Sequence, residues 1–393
     1  MTQNVRILIF VLLTQTSFAQ KNTVNQYSII DKKALQLPDS LTNSADNLAQ
    51  YINSNFKTDQ EKARAAFIWV ATNIHYDIEN MFALNFYEKQ EEKILKPLRT
   101  RKGICENYAS LFCDICLKSG LKSFVIEGYT KQNGFADYIP HAWCATFVDS
   151  AWFLFDPTWS SGYASSGKFY QKINNDYYKV SPSILIKSHI PFDYLWQFLY
   201  YPVTNQEFYE GKTKQNKSKP YFNFIDSITI YERQNHIEQS ISAAYRIEKN
   251  GLKNSLVFAR LQDLKLEIEH DRQNSTVNLY NSAVADFNDA INGFNIFVSY
   301  RNKQFIPKKE DSEIQRMLDT ADDKLKEAKA KLGQIKNLDL NTANMIMQLT
   351  KLIDEATIQA NDQQDWLKSY FSKGKAGRKS MFYKVTWMGI PIN

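Results

Sequence analysis

The sequence of 393 residues predicts an α+β front domain, a cysteine-bearing helix packed on an antiparallel sheet, followed by an all-α bundle of helical hairpins. Three observations predict it. From Thr58 to Trp159 helical patterning gives way to strand-like runs; the character of the chain changes near residue 205; and beyond Val277 apolar residues recur in three long seams. At about 150 residues per domain the length allows two or three domains.

Residues 1–19 read as a secretory signal, with Arg6 ahead of the apolar run Ile7 to Leu13 and small residues Ser17 and Ala19 before a cut at Gln20. That run is far short of the ~20 apolar residues that span a bilayer, and no later segment is long and apolar enough. No Cys follows the cut, which argues against a lipid-anchored form. The expectation is an exported chain, periplasmic or secreted, with no membrane span.

Thr58-Asp59-Gln60-Glu61 resembles a capping box, and behind it Ala63, Phe67, Val70 and Ile74 mark one apolar helix face. Pro97 is expected to break the next pattern. A second helix spans Cys105 to Ser119, stopped by Gly120 at a C′ position. Strand-like runs follow at Ser123 to Glu127, His141 to Val148 and Ala151 to Asp156, the last two joined by an Asp149-Ser150 turn. The front domain is placed at 20–205 and a lysine-punctuated linker at 206–225. The helical bundle is placed at 226–393, with Ser240 to Leu266 read as one helix and Met381 to Ile392 as an apolar tail. The seams Val277 to Val298, Ile314 to Ile335 and Ile346 to Ala360 step by threes and fours, in the manner of a coiled coil; core packing explains them better than a cofactor site.

Composition narrows the function. The balance of 48 Lys+Arg against 42 Asp+Glu is too even and dispersed to mark a nucleic-acid protein. With 44% hydrophobic residues, disorder over most of the length is excluded, and four Cys in so long a chain make no disulfide scaffold. No phosphate-binding Gly loop, zinc-protease motif or EF-hand pattern is present, so no cofactor is expected.

The chemistry concentrates in Gly103-Ile104-Cys105-Glu106-Asn107-Tyr108-Ala109, His141-Ala142-Trp143 and Phe155-Asp156-Pro157-Thr158-Trp159. Cys105 opens a helix, where unpaired N–H groups and the dipole favour a thiolate. If the hairpin pairs about Asp149-Ser150, opposite residues sum to 299, which sets His141 against Thr158 and Trp143 against Asp156. His141, Trp143 and Asp156 then share one face, so the carboxylate can hold one imidazole nitrogen and leave the other for Cys105. Each residue alone has a duller account: a buried thiol, an edge histidine, a turn-forming Asp before Pro. A zinc site on Cys113, Cys116 and Cys144 is disfavoured, because the first pair lies inside a regular helix. Cys116, about 16 Å along the helix from Cys105 at 1.5 Å per residue, cannot share the active centre.

These blocks resemble the transglutaminase-like superfamily, which has a papain-like arrangement and a Cys-His-Asp triad. The resemblance covers roughly residues 58–165 and is most similar to secreted bacterial members akin to the kyphoscoliosis-peptidase branch. It implies Cys105 as nucleophile, His141 as base and then acid, and Asp156 as orienter. The backbone N–H of Cys105 is one oxyanion donor, with Trp69 and Tyr76 weighed as the second and Trp69 favoured as core. Trp143 and Glu106 are the substrate-lining candidates, and no residue is expected to bind a metal. The implied function is a cysteine peptidase or amidase, or a protein-glutamine acyl-transferase, acting on an amide bond through a thioester. The rival is a non-catalytic binding or scaffold protein of the cell envelope. The expected partners are a protein or peptide substrate, a cell-envelope one included, and a protein partner for the helical bundle. The block from His189 to Gln197 is expected to close the front domain.

Overall fold

The computed structural model describes residues 26–81, 88–132, 134–336, 339–382, 384–385 and 391–392, so the secretory signal expected at 1–19 lies outside the described residues. The chain forms two compact units, 1–262 and 263–393.

Unit 1 opens with helices Ser28–Ala34 (α1), Ala45–Asn55 (α2) and Asp59–Asn73 (α3). The expected capping box starts α3: the Glu61 N–H donates to Thr58 Oγ1 and the Thr58 N–H to Glu61 Oε2. Rather than one apolar face, every residue of α3 from Ala63 to Ala71 is buried. Small Ala63, Ala65, Ala66 and Ala71 admit neighbours on all sides. The one charge among them, Arg64, is neutralised by a two-pronged pair with Asp31 at 2.6 and 2.7 Å.

Strand His75–Tyr76 (β1) pairs in parallel with Lys102–Gly103 (β2), and helix Gln90–Thr100 (α4) lies between them in sequence. Pro97 does not break α4 but sits inside it. Proline lacks the N–H that would bond the carbonyl four residues back. That carbonyl, Lys93 O, instead accepts from Asn107 Nδ2 at 3.1 Å.

Helix Cys105–Lys118 (α5) follows, and Gly120 (φ 87°) stops it as expected. The Leu121 N–H donates to Cys116 O and the Gly120 N–H to Leu117 O, the paired bonds of a Schellman stop. Strands Ser123–Gln132 (β3), Phe135–Val148 (β4) and Ala151–Phe155 (β5) then build the sheet; β4 and β5 join through Asp149 and Ser150, both at positive φ. Their register runs from Val148↔Ala151 to Cys144↔Phe155, so opposite residues do sum to 299. The ladder ends there, and the expected pairing of His141 with Thr158 does not form. Pro157 has no N–H to continue it, and Asp156 instead caps a short helix, Pro157–Ser161 (α6).

A hairpin of Gly162–Ser165 (β6) and Lys168–Gln171 (β7), helix Pro182–Leu185 (α7) and strand His189–Pro191 (β8) come next. The main sheet has the order β5-β4-β3-β8, antiparallel throughout. Strand alternation divides its side chains between two cores. Ala142, Cys144 and Phe155 pack with α3 and α5, while Ile126, Trp143 and Leu154 pack with Leu195, Phe198, Phe224 and Ile228. The residues 206–225 lie within unit 1, after the start of helix Asn205–Tyr209 (α8), and they lead into helix Phe224–Tyr231 (α9). Ser240 to Leu266 is not one helix: His236–Asn250 (α10) stops at Gly251 (φ 91°), and Ser255–Asn302 (α11) begins afresh.

The unit boundary falls within α11. Unit 2 is an all-α bundle in which α11 is followed by Asp311–Gln334 (α12), Leu340–Phe371 (α13) and Lys375–Ser380 (α14). The buried stripe of α12 is Ile314, Leu318, Ala321, Leu325, Ala328 and Leu332, as the spacing predicts. Along the expected seam of α11, Val277 to Val298, the fully buried positions are Ala283, Ala290 and Phe297, one residue before the expected Val284, Ile291 and Val298, and Val277 is exposed. Alanines at the centre of that face let the facing helices approach, which moves the larger side chains to the flanks. In the tail, Lys384–Val385 (β9) pairs with Pro391–Ile392 (β10). Among the described residues no helix is long and apolar enough to cross a membrane.

Candidate active site

Cys105 is the first residue of α5, and the chain before it is held tightly. Gly103 lies in β2, and a Cβ there would come within 2.7 Å of Asn107 Cβ. That close approach lets Asn107 Oδ1 accept the Ile104 N–H at 3.0 Å, which fixes the turn into the helix. Cys105 is 4% exposed.

His141 stands on β4 opposite Gly128 of β3, and its Nε2 lies 2.8 Å from Asp156 Oδ2. A Cβ on Gly128 would sit 2.2 Å from Ile190 O and 2.6 Å from the Trp143 ring, so only glycine lets β8 and Trp143 close in here. Asp156 is fully buried. Its Oδ1 accepts the N–H groups of Thr158 and Trp159 at 2.9 and 3.0 Å. Its Oδ2 takes a second imidazole, His189 Nε2, at 3.1 Å, and His189 Nδ1 lies 2.8 Å from Ser188 Oγ.

Electrostatics tie the group together. Burial disfavours the His141 cation, but the Asp156 charge and hydrogen bond outweigh it. The nearby Cys105 adds to them, so the imidazole is raised to about 10. Burial likewise opposes the Asp156 anion, yet His141 and then His189 hold it well below the usual carboxylate range. An ionised carboxylate only accepts, so both Nε2 atoms facing it carry hydrogen. The Tyr76 phenol is pushed up, first by burial and then by the nearby Cys105 and Asp156 charges.

These shifts set a pH window. A raised imidazole contributes stability that is fully present below its ordinary 6.5 and is lost as pH rises through about 10. The depressed Asp156 contributes stability present above its ordinary 3.8 and lost as pH falls through its folded value. The cluster therefore contributes most between 3.8 and 6.5. In thermal melts between about pH 6 and 9, the wild-type midpoint should fall more steeply than that of His141→Gln. Parallel curves would remove His141 from the account.

A cleft of about 660 Å³ opens beside His141, walled by Tyr76, Trp159, Tyr163, Phe169 and Tyr177. The Trp159 ring lies 5.6 Å from that of His141 and 4.6 Å from that of His189. The sequence-derived lining candidates sit elsewhere. Trp143 is 1% exposed and stacks beside His141, and Glu106 is buried against Lys93 at 3.3 Å. Trp69 is core, under the Arg101 guanidinium. Cys113, Cys116 and Cys144 are buried free thiols, and burial pushes the last two well up.

His189 is the participant that sequence reasoning missed. It lies 33 residues beyond Asp156 and reaches it only because β8 pairs with β3, Thr130↔His189. One nitrogen or oxygen from each of His141, Asp156 and His189 lies within 4.8 Å of the others, so these three residues could hold a metal ion.

Residues 46–157, which include Cys105, His141 and Asp156, match the family model of the transglutaminase-like superfamily. This segment is transglutaminase-like. The chain is 31% identical over 193 residues to "Kyphoscoliosis peptidase" of Homo sapiens, covering 47% of this chain and 28% of that one. It is 24% identical over 205 residues to "Lim and transglutaminase domain protein ltd-1" of Caenorhabditis elegans, covering 47% and 28%. The chain thus spans less than a third of the length of these relatives. Among solved structures, "Crystal structure of a TGase" is 17% identical, with a TM-score of 0.25 over 40% of this chain and 38% of that one.

Proposed function

We propose that the front unit is a transglutaminase-like module that receives a protein or peptide segment in the cleft beside His141. In an exported chain it would serve the cell envelope as a binding or scaffold element. The lining of the cleft carries this reading. Tyr76, Trp159, Tyr163 and Phe169 offer aromatic surface next to the polar Gln132 and Asn174, whereas Cys105 is almost wholly buried and does not line the cleft. Aromatic side chains flanked by polar groups are the usual anchors of polypeptide recognition.

A second reading is favoured by a separate observation, a His141 ring held by Asp156 at 2.8 Å and influenced by the nearby Cys105. In it the proton of the thiol rests on the imidazole, which the Asp156 charge keeps protonated, and the sulfur adds to an amide carbonyl. The imidazolium then returns that proton to the departing amine, leaving a thioester. Water resolves the thioester in a peptidase or amidase, and a second amine does so in an acyl-transferase.

One experiment separates the two. Fluorescent, unfolded casein is offered to the full chain with and without a primary-amine probe, and binding, cleavage and amine incorporation are all measured. The binding reading expects association weakened about tenfold in Trp159→Ala, with neither cleavage nor incorporation. Cleavage or incorporation that disappears in Cys105→Ala would replace it with the thioester reading. Absence of both association and turnover would defeat the two together.

A further inference from the structure

Two imidazoles and one carboxylate converge on one point of the front unit. His141 Nε2 and His189 Nε2 lie 2.8 and 3.1 Å from the same oxygen, Asp156 Oδ2. The donors are set by backbone pairing rather than by loops: His141 lies opposite Gly128, and His189 opposite Thr130, two positions along β3. Gly128 brings no side chain between the rings.

The geometry points to a divalent transition-metal site of the zinc class at His141 Nε2, Asp156 Oδ2 and His189 Nε2. Two His and one carboxylate are a donor set that such ions favour. Tetrahedral bonds of about 2.0 Å place ligand atoms about 3.3 Å apart, so the two N···O separations need to open by only a few tenths of an ångström. The ion replaces the hydrogens that both Nε2 atoms now direct at the carboxylate, and those protons leave to solvent.

Asp156 and His189 already have the outer partners that orient metal-binding residues. Asp156 Oδ1 is fixed by two backbone N–H groups, from Thr158 and Trp159. With the ion bound, the His189 Nδ1–H faces Ser188 Oγ. A fourth position opens toward solvent, because His141 and Thr158 both line the cleft. Thr158 is 7% exposed, and its Oγ1, on a residue lining the same cleft, is buried without a hydrogen-bond partner. The inference concerns binding alone: an ion held by His141 and Asp156 excludes the thioester reading and leaves the binding reading untouched.

The test titrates the full chain with Zn²⁺ against a chelator of known affinity and records the absorption spectrum with Co²⁺. One equivalent should bind, with the weak visible bands of nitrogen and oxygen ligation, and His189→Gln should weaken it at least 100-fold. His189→Asn guards against misfolding of the first variant, with circular dichroism confirming both folds, and His236→Gln, on an exposed helix start, should bind like wild type. No stoichiometric binding, or binding undiminished in both folded His189 variants, would overturn the site. So would an intense near-ultraviolet sulfur-to-cobalt band that vanishes in Cys105→Ala.

Discussion

Replacing Asp156 with alanine should lower the unfolding free energy of the front unit by about 3–5 kcal/mol, the usual cost of removing one member of a buried charged cluster. The fully buried carboxylate serves four donors at once: two imidazoles on Oδ2 and the first N–H groups of α6 on Oδ1. Alanine leaves both rings facing an apolar gap and uncaps α6. Asp156→Asn keeps an acceptor for the cap and should lose less. Urea unfolding of the three proteins checks the order, and a loss under about 1 kcal/mol for alanine would mean that the cluster contributes little to holding the fold.

A comparable loss is expected for Arg64→Ala, far from the cleft. The guanidinium is fully buried, bonds Asp31 at 2.6 and 2.7 Å and Asn175 Oδ1 at 2.7 Å, and lies between the rings of Tyr27 and Tyr178. Removing it takes from the buried Asp31 carboxylate the guanidinium that bonds both its oxygens, again about 3–5 kcal/mol. The double change Arg64→Met with Asp31→Leu should recover most of that, because no lone charge remains. If the double variant is as unstable as the single, the packing of the guanidinium between the two tyrosines matters more than the ion pair.

What was legible in the sequence is what neighbours along the chain decide. The Asp149-Ser150 turn sets the β4–β5 register, Gly120 ends α5, and the apolar spacing marks the buried stripe of α12. His141 and Asp156 were placed on one face by parity, and they do meet, though through a capping residue beyond the end of the ladder. What escaped depends on distant pairing. No local pattern distinguishes His189 from any histidine opening a proline-containing strand. Arg64 lies in a run that periodicity alone cannot identify as buried on every side. Pro97 was expected to end a helix, because the acceptor that makes it tolerable is satisfied by Asn107, ten residues later.

That proline has a wider consequence. The carbonyl it releases on Lys93 is where Asn107 fastens, and Asn107 also secures the entry to α5. An irregularity in one helix thus anchors the next, and the seat of the Cys105 sulfur inherits its rigidity from a residue it never touches. Any residue with an N–H at position 97 would reclaim the carbonyl for α4 and loosen that anchorage, altering the thiol's surroundings while every side chain around it stayed the same.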